Sequence, residues 1–256
     1  MKLPLYIQLI LLVLVWTGDL HGQARKTALD RSRPPAAHQL EAGQQAVVID
    51  ETLSVLRLRP TLFSESVQRM RRGRRVKILG VAEADGVKFF KVTAPPSSTG
   101  WVQADAVFGK FREGDEQRLA NLVQASSGFN QIEIAIEFFN LFPSSALRAP
   151  LMLMFGDLLE ETAARLSREA GSRLNRREMA AIGAPLHSFY LNYVSLDRYR
   201  KLGVHFQFNS STRQFHYDGS RWKEILANFP AAPEAAEARK RLDELRVKLT
   251  PNSAVK

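Results

Sequence analysis

The pattern of apolar and polar positions changes near residue 110. Between Ala46 and Gly109, short runs of branched and aromatic residues alternate with turn residues, a pattern that predicts β-strands. Asp85-Gly86 predicts a tight hairpin turn. Several short strands within a segment of this length predict a small β-barrel. The expected strands are 46–50, 54–58, 75–82, 88–93 and 101–104.

Beyond residue 110 the apolar positions recur at helical spacing, as at Leu119, Leu122 and Val123. Helix breaks are expected at 126–128, at Phe142-Pro143 and near Gly171. We therefore expect 46–109 to form the barrel and 110–250 to form a helical domain with one inserted β-hairpin. The predicted fold class is α+β.

The hairpin is expected over 204–217, because 204–208 and 213–217 both alternate strictly between apolar and polar residues. With Ser210-Ser211 as the turn, His205 lies opposite His216 and Phe206 opposite Phe215. The apolar face is expected to rest on the helices. His205 and His216 are weak candidates for a metal site, since a catalytic zinc needs a third protein ligand. The alternative is a pair of exposed histidines on the polar face of the hairpin.

A short pattern occurs twice in the helical region. Phe142-Pro143-Ser144-Ser145 is followed by Ala149, and Phe229-Pro230-Ala231-Ala232 by Ala236 at the same offset. Each predicts two helices joined by a tight corner. This pattern resembles the tetratricopeptide-like (TPR-like) helical repeats of envelope assembly proteins, and the resemblance implies a scaffold that holds a protein partner. Whether the region is a true repeat array stays open, because a solenoid normally needs three or more units.

The first residues have the layout of a secretory signal peptide: Lys2, an apolar run from Leu3 to Trp16, and small residues at Gly22-Gln23-Ala24. We expect a signal over 1–24, a linker over 25–45 and a tail over 251–256. The protein is then exported and periplasmic or secreted. An uncleaved segment that tethers it to the membrane is the alternative, although the apolar run is shorter than the ~20 residues of a spanning helix.

Charge and cysteine content narrow the functional classes. The net charge of +10 over 256 residues favours anionic partners such as a polymer or a lipid surface. The absence of cysteine excludes disulfides, thiolate metal sites and cysteine nucleophiles. No ladder of aromatic residues accompanies the basic residues, so the sequence does not favour nucleic acid as a ligand.

The barrel segment resembles a bacterial SH3 domain. The resemblance rests on Val55 to Pro60 with its Arg-x-x-Pro stretch, on Gly73, and on a closing Gly100-Trp101-Val102. It implies binding of a cell-wall peptide or glycan of peptidoglycan, or of a protein, through loop and aromatic residues. The implied ligand-binding residues are Arg57, Arg59, Phe89 and Trp101. For Trp101 a core position that closes the barrel is the alternative.

Six cations crowd into nine residues around Gly73. On a turn they would fan outward and could bind phosphate or carboxylate groups. The alternative is a basic turn that only adds solubility. This predicted anionic-partner patch comprises Arg69, Arg71, Arg72, Arg74, Arg75 and Lys77.

No catalytic motif accompanies these features. The sequence lacks a Gly-x-Ser-x-Gly elbow, a His-Glu-x-x-His helix and a phosphate loop, and Glu160-Glu161 are expected to face solvent. We therefore predict a non-catalytic envelope protein without a cofactor. Two further hypotheses stay open: a histidine-dependent metallohydrolase, and a basic polyanion-binding protein.

Overall fold

A computed structural model describes residues 40–174 and 186–250. The predicted signal peptide, residues 25–39 of the predicted linker and the predicted tail lie outside these ranges. Within them, no helix combines the length and apolar character needed to cross a membrane. Residues 40–43, at the end of the predicted linker, form a turn in which Gly43 N donates to Ile78 O, and Lys88 pairs with the buried Glu41.

Seven antiparallel strands form one curled sheet, and helices follow it, so the fold class is α+β. The sheet order is β3-β2-β6-β5-β4-β1-β7. All five predicted strand regions contain strands. Strands β3 and β7 were not predicted, because β3 contains one apolar residue and β7 is two residues long. The strands are β1 (Gln45–Val48), β2 (Val55–Arg57), β3 (Ser66–Arg69), β4 (Arg75–Ala84), β5 (Val87–Ala94), β6 (Ser98–Gln103) and β7 (Val107–Phe108).

Strand β1 is buried on both faces. Its alternate residues Ala46 and Val48 belong to the core inside the curled sheet. Val47 and Ile49 belong instead to the core that the helices share. Because successive side chains of a strand point to opposite faces, this strand joins the two cores. Likewise, on β7, Val107 belongs to the core inside the curled sheet and Phe108 to the core that the helices share.

The helices pack around aromatic and aliphatic side chains, among which Trp222, Tyr199 and Phe155 have almost no exposed surface. Two short 3-10 turns, at 104–106 and 194–196, complete the described secondary structure. The helices are α1 (Asp115–Ala125), α2 (Gly128–Leu141), α3 (Arg148–Leu174), α4 (Leu186–Leu191), α5 (Asp197–Arg200), α6 (Ser220–Asn228) and α7 (Glu234–Leu249).

The two Phe-Pro corners have the same backbone hydrogen bonds. Phe142 N donates to Phe138 O after α2, and Phe229 N donates to Ile225 O after α6. Three residues further on, Ser145 N and Ala232 N each donate to the carbonyl of that phenylalanine. The next helix begins shortly afterwards in both cases, so the helix breaks predicted at these pairs are confirmed.

The inserted hairpin is present, but its predicted register is wrong. Strands β8 (Phe206–Asn209) and β9 (Gln214–Tyr217) pair with Phe206 opposite Tyr217 and Gln207 opposite His216. The turn is longer than Ser210-Ser211 because Asn209 Oδ1 accepts hydrogen bonds from Ser211 N and Thr212 N. The shift moves each partner by two positions, so the apolar face is the predicted one.

Polar contacts lock the sheet to the helices. Asp115, fully buried at the start of α1, accepts hydrogen bonds from Gly109 N, Arg112 and Arg118. Arg72 after β3 pairs with Glu133 on α2 at 2.7 Å. The described residues from Glu41 onward accordingly form one compact unit.

Candidate functional site

Trp101 lies on the outer face of the sheet, between two cations. In the sheet register Arg57 on β2 pairs with Trp101 on β6, and Trp101 pairs with Lys91 on β5. The flanking residues Gly100 and Val102 are buried, whereas Trp101 is half-buried and Lys91 exposed. Trp101 is therefore not one of the side chains that fill the core inside the curled sheet. We call Arg57, Trp101 and Lys91 the outer-face row.

A glycine lets β2 approach β6 beside this row. A Cβ at position 100 would lie 2.7 Å from Arg57 O and 2.8 Å from Leu56 Cγ. Since heavy atoms in contact sit about 3.5 Å or more apart, any side chain there would push the strands apart. Gly100 thus permits the close pairing of β2 with β6 that places Arg57 opposite Trp101.

The loop 58–65, between β2 and β3, borders the row and is held by hydrogen bonds. Arg57 Nη1 donates to Ser64 O at 2.8 Å. Asp85, in the β4–β5 turn, accepts from Thr61 Oγ1 at 2.5 Å and from Leu62 N at 2.9 Å. The hydrogen bond from Thr61, and then that from Leu62, lower the pKa of Asp85.

This ordered loop presents apolar side chains to solvent. Phe63 is 89% exposed and Leu58 is 58% exposed. Together these two side chains give the loop an apolar surface beside the outer-face row, and covering it by a partner would be favourable.

The other two predicted ligand-binding residues have different positions. Arg59 is exposed, and its side chain forms no hydrogen bond or ion pair with the described residues; only its backbone N donates, to Ser64 Oγ. Phe89 is completely buried on β5. The structure therefore places Phe89 in a packed position and leaves it no surface for a ligand.

The six cations around Gly73 have different surroundings. Arg72 is only 11% exposed, donates from Nε to Ile49 O and pairs with Glu133. Arg69 donates to the carbonyls of Glu51 and Thr52, and Arg74 to that of Pro95. Arg69, Arg71, Arg75 and Lys77 are exposed.

Lys77 adds to the charge of the outer face. It pairs with Thr93, which pairs with Thr99, and these residues lie two positions from Lys91 and Trp101 on the same strands. Residues two apart on a strand share a face. Lys77, Lys91 and Arg57 therefore all lie on the face that carries Trp101.

The two histidines are not opposed. His205 precedes β8 and is exposed, whereas His216 is buried and its Nδ1 lies 2.9 Å from Glu160 Oε1 on α3. The predicted pair is wrong for the same reason as the register. Among residues 40–174 and 186–250, no three His, Cys, Asp or Glu residues converge in a way that could hold a metal ion. The side chain of His187 lies outside the described part.

Glu160 is not the solvent-facing carboxylate that the sequence predicts, although Glu161 is exposed. Burial raises the pKa of Glu160, but hydrogen bonds from His216, Tyr217 N and Lys248 outweigh it and lower the pKa to about 2. Because the ionised carboxylate can only accept, His216 Nδ1 carries the proton in this contact.

Sequence reasoning missed Lys91 and the loop residues Leu58 and Phe63. Lys91 can be assigned to the same face as Trp101 from the alternation of β5 and β6, but only when the register of the two strands is known. The exposure of Phe63 has no local sequence signal, because it follows from the hydrogen bonds to the distant Asp85.

Comparison with known proteins gave no relative: no protein family, no curated protein and no solved structure matches this chain.

Proposed function

We propose that this chain is a non-catalytic exported envelope protein that binds an acidic glycopeptide of the cell wall on the outer face of its sheet. The observation that carries the proposal is the half-exposed Trp101 held between Arg57 and Lys91. In this view the sheet corresponds to an SH3-like barrel, and the predicted signal over 1–24 directs export.

The chemistry of the outer-face row suits a sugar that carries carboxylates. An indole has an electron-rich face, and the C–H bonds on one side of a pyranose ring form an apolar surface that can lie against it. Lysine and arginine beside the ring would bind carboxylates through charge-assisted hydrogen bonds. Lys91 and Lys77 form no ion pair with any described residue, so their charges are available.

The loop 58–65 supports the proposal as a preformed rim beside the row. Its hydrogen bonds to Asp85 and Arg57 fix the position of Phe63 before a ligand arrives. A surface that is already ordered loses less conformational entropy on binding.

For the helical region we propose a TPR-like scaffold that holds a protein partner of the envelope. Its support is the pair of Phe-Pro corners with matching backbone hydrogen bonds. Ala149 and Ala235, near these corners, are buried, whereas Ala236, the counterpart of Ala149 in the repeated pattern, is exposed.

Titration calorimetry of the purified protein with a soluble disaccharide-tetrapeptide wall fragment tests the proposal. Lys91→Gln should weaken binding about three- to tenfold, because an exposed charge-assisted contact is lost. Lys201→Gln is the matched control, since this exposed lysine lies in the helical region; it should leave the affinity unchanged.

Two results would contradict the proposal. One is that the wall fragment produces no heat of binding while a single-stranded oligonucleotide does bind, which would favour the polyanion hypothesis. The other is equal loss of affinity in Lys91→Gln and Lys201→Gln, which would indicate a response to net charge alone.

A further inference from the structure

A groove runs between α3 and the hairpin, far along the chain from the outer-face row. Its volume is about 630 Å³, within the ~300–1,000 Å³ usual for small-molecule sites. One face of α3 and strand β9 form its walls, and Tyr190 of α4 closes one side. The helix contributes Glu160, Ala164, Ser167, Arg168 and Gly171.

The one carboxylate in the groove wall is already neutralised. Glu160 Oε1 lies 2.9 Å from Lys248 Nζ and 2.9 Å from His216 Nδ1, and Oε2 accepts from Tyr217 N. Its charge is therefore satisfied within the wall and does not cancel the remaining cations.

Two guanidinium groups remain in the groove. Arg168 on α3 and Arg213, immediately before β9, both line it. Neither has a hydrogen bond or ion pair with a residue in 40–174 or 186–250. Burial raises the pKa of the Tyr190 phenol, and the positive charge of the nearby Arg213 opposes this increase. The groove thus has an excess of positive charge beside an aromatic hydroxyl.

The backbone at Arg213 is in a conformation that arginine rarely adopts. Its φ is +58°, in the left-handed region that favours glycine or asparagine. The loop before it is fixed by Asn209, whose side chain accepts from Ser211 N and donates to Lys248 O. Strain of this kind persists where the surrounding structure imposes it, often at binding sites.

The floor of the groove is aromatic and rigid. Phe215 and Tyr190 are nearly fully buried, with ring centroids 5.6 Å apart. Phe215 N donates to Ser167 Oγ at 2.7 Å, and Ser167 Oγ donates to Ala163 O. These bonds attach β9 firmly to α3, so the cations project from a fixed frame.

We propose that this groove binds a small organic anion, whose carboxylate or phosphate group contacts Arg168 and Arg213 and whose apolar part lies against the exposed wall at Ala164. Arginine suits both groups, because its planar fork donates two parallel hydrogen bonds to either. The site is separate from the outer-face row and does not depend on the function proposed for that row.

Calorimetry of the whole protein with phenyl phosphate, benzoate and neutral benzamide tests this site. At least one anion should bind about tenfold or more tightly than benzamide, and comparison of the two anions identifies the preferred group. Arg168→Gln/Arg213→Gln should weaken that binding about tenfold or more. Arg239→Gln/Arg246→Gln removes the same charge from exposed positions on α7 and should not change it.

A second variant separates binding from folding. Arg213→Gly removes the guanidinium and suits the positive φ, so it should keep the native circular dichroism spectrum and still lose affinity. The proposal is overturned by equal binding of benzamide, by no binding of either anion up to about 10 mM, or by full affinity in Arg213→Gly and the double variant.

Discussion

The hydrogen bonds of each charged residue determine whether it links parts of the fold or lies exposed on the surface. Arg72 and Lys77 lie in the same basic cluster, yet Arg72 is a buried link to α2 and Lys77 an exposed cation on the outer face. Glu160 and Glu161 are neighbours, yet only Glu160 is held by three donors. Composition and spacing do not distinguish these cases, because the partners lie far away along the chain.

The pKa of Glu160 makes a prediction about acid stability. It is about 2 in the folded protein, below the ordinary 4.5. A carboxyl group with a lowered pKa stabilises the fold above its ordinary pKa, and this contribution is lost as the pH falls toward the folded value. Glu160→Gln should remove roughly 2–3 kcal/mol of stability at neutral pH. It should also flatten the decline between about pH 4.5 and 2.

Urea denaturation at several pH values measures this effect. Glu161→Gln is the matched control, because Glu161 is exposed on the same helix; it should retain the native pH dependence. An unchanged slope in Glu160→Gln would show that the contacts with His216 and Lys248 do not stabilise the folded state.

At the scale of elements, the apolar face of the hairpin and the register of its two strands have different causes. The alternation of 204–208 and 213–217 correctly assigned the apolar face of the hairpin. The register depended on the capping of the turn by Asn209 and on the left-handed Arg213, which alternation does not reveal. In the sheet, β3 escaped prediction because its residues Ser66, Gln68 and Arg69 are polar at an edge.

The packing of α3 against α6 makes a prediction about two glycines of one helix. A Cβ at Gly156 would lie 2.2 Å from Trp222 Nε1, whereas at Gly171 the nearest atom is 3.9 Å away. Gly156→Ala should destabilise the protein by about 1–3 kcal/mol, because the buried indole must move. Gly171→Ala should stabilise it by up to about 1 kcal/mol, since alanine favours the helix.

Thermal or urea unfolding of both variants checks this difference. The two substitutions add the same methyl group to the same helix, so the gain in helix propensity is the same in both variants and the difference between them reports the packing. A stability gain in Gly156→Ala similar to that in Gly171→Ala would mean that Trp222 does not pack against α3 in this way.

At the scale of the whole molecule, sheet and helices are coupled through β1 and the Arg72–Glu133 pair. The sequence predicted the change from strands to helices near residue 110. It did not predict that Val47 and Ile49 belong to the helical core, because a strand buried on both faces has no distinguishing pattern at this length. Of the outer-face row, the sequence analysis named Arg57 and Trp101 as candidates but not Lys91.

The coupling makes a prediction about two neighbouring arginines. Arg72→Ala should cost about 1–3 kcal/mol, because it removes the ion pair and leaves Ile49 O and Glu133 without this donor. Arg71→Ala, at an exposed position, should change stability by no more than about 0.5 kcal/mol. Equal effects in denaturant titrations would contradict a structural role for Arg72.

The central claim, that Trp101 is the contact point for the ligand, is tested most directly by the indole N–H resonances of the ¹⁵N-labelled protein. On addition of the disaccharide-tetrapeptide fragment, the Trp101 signal should shift and saturate with the dissociation constant found by calorimetry. The Trp222 signal, from a side chain 1% exposed, should stay in place. Saturable binding that leaves the Trp101 signal unmoved would contradict the account.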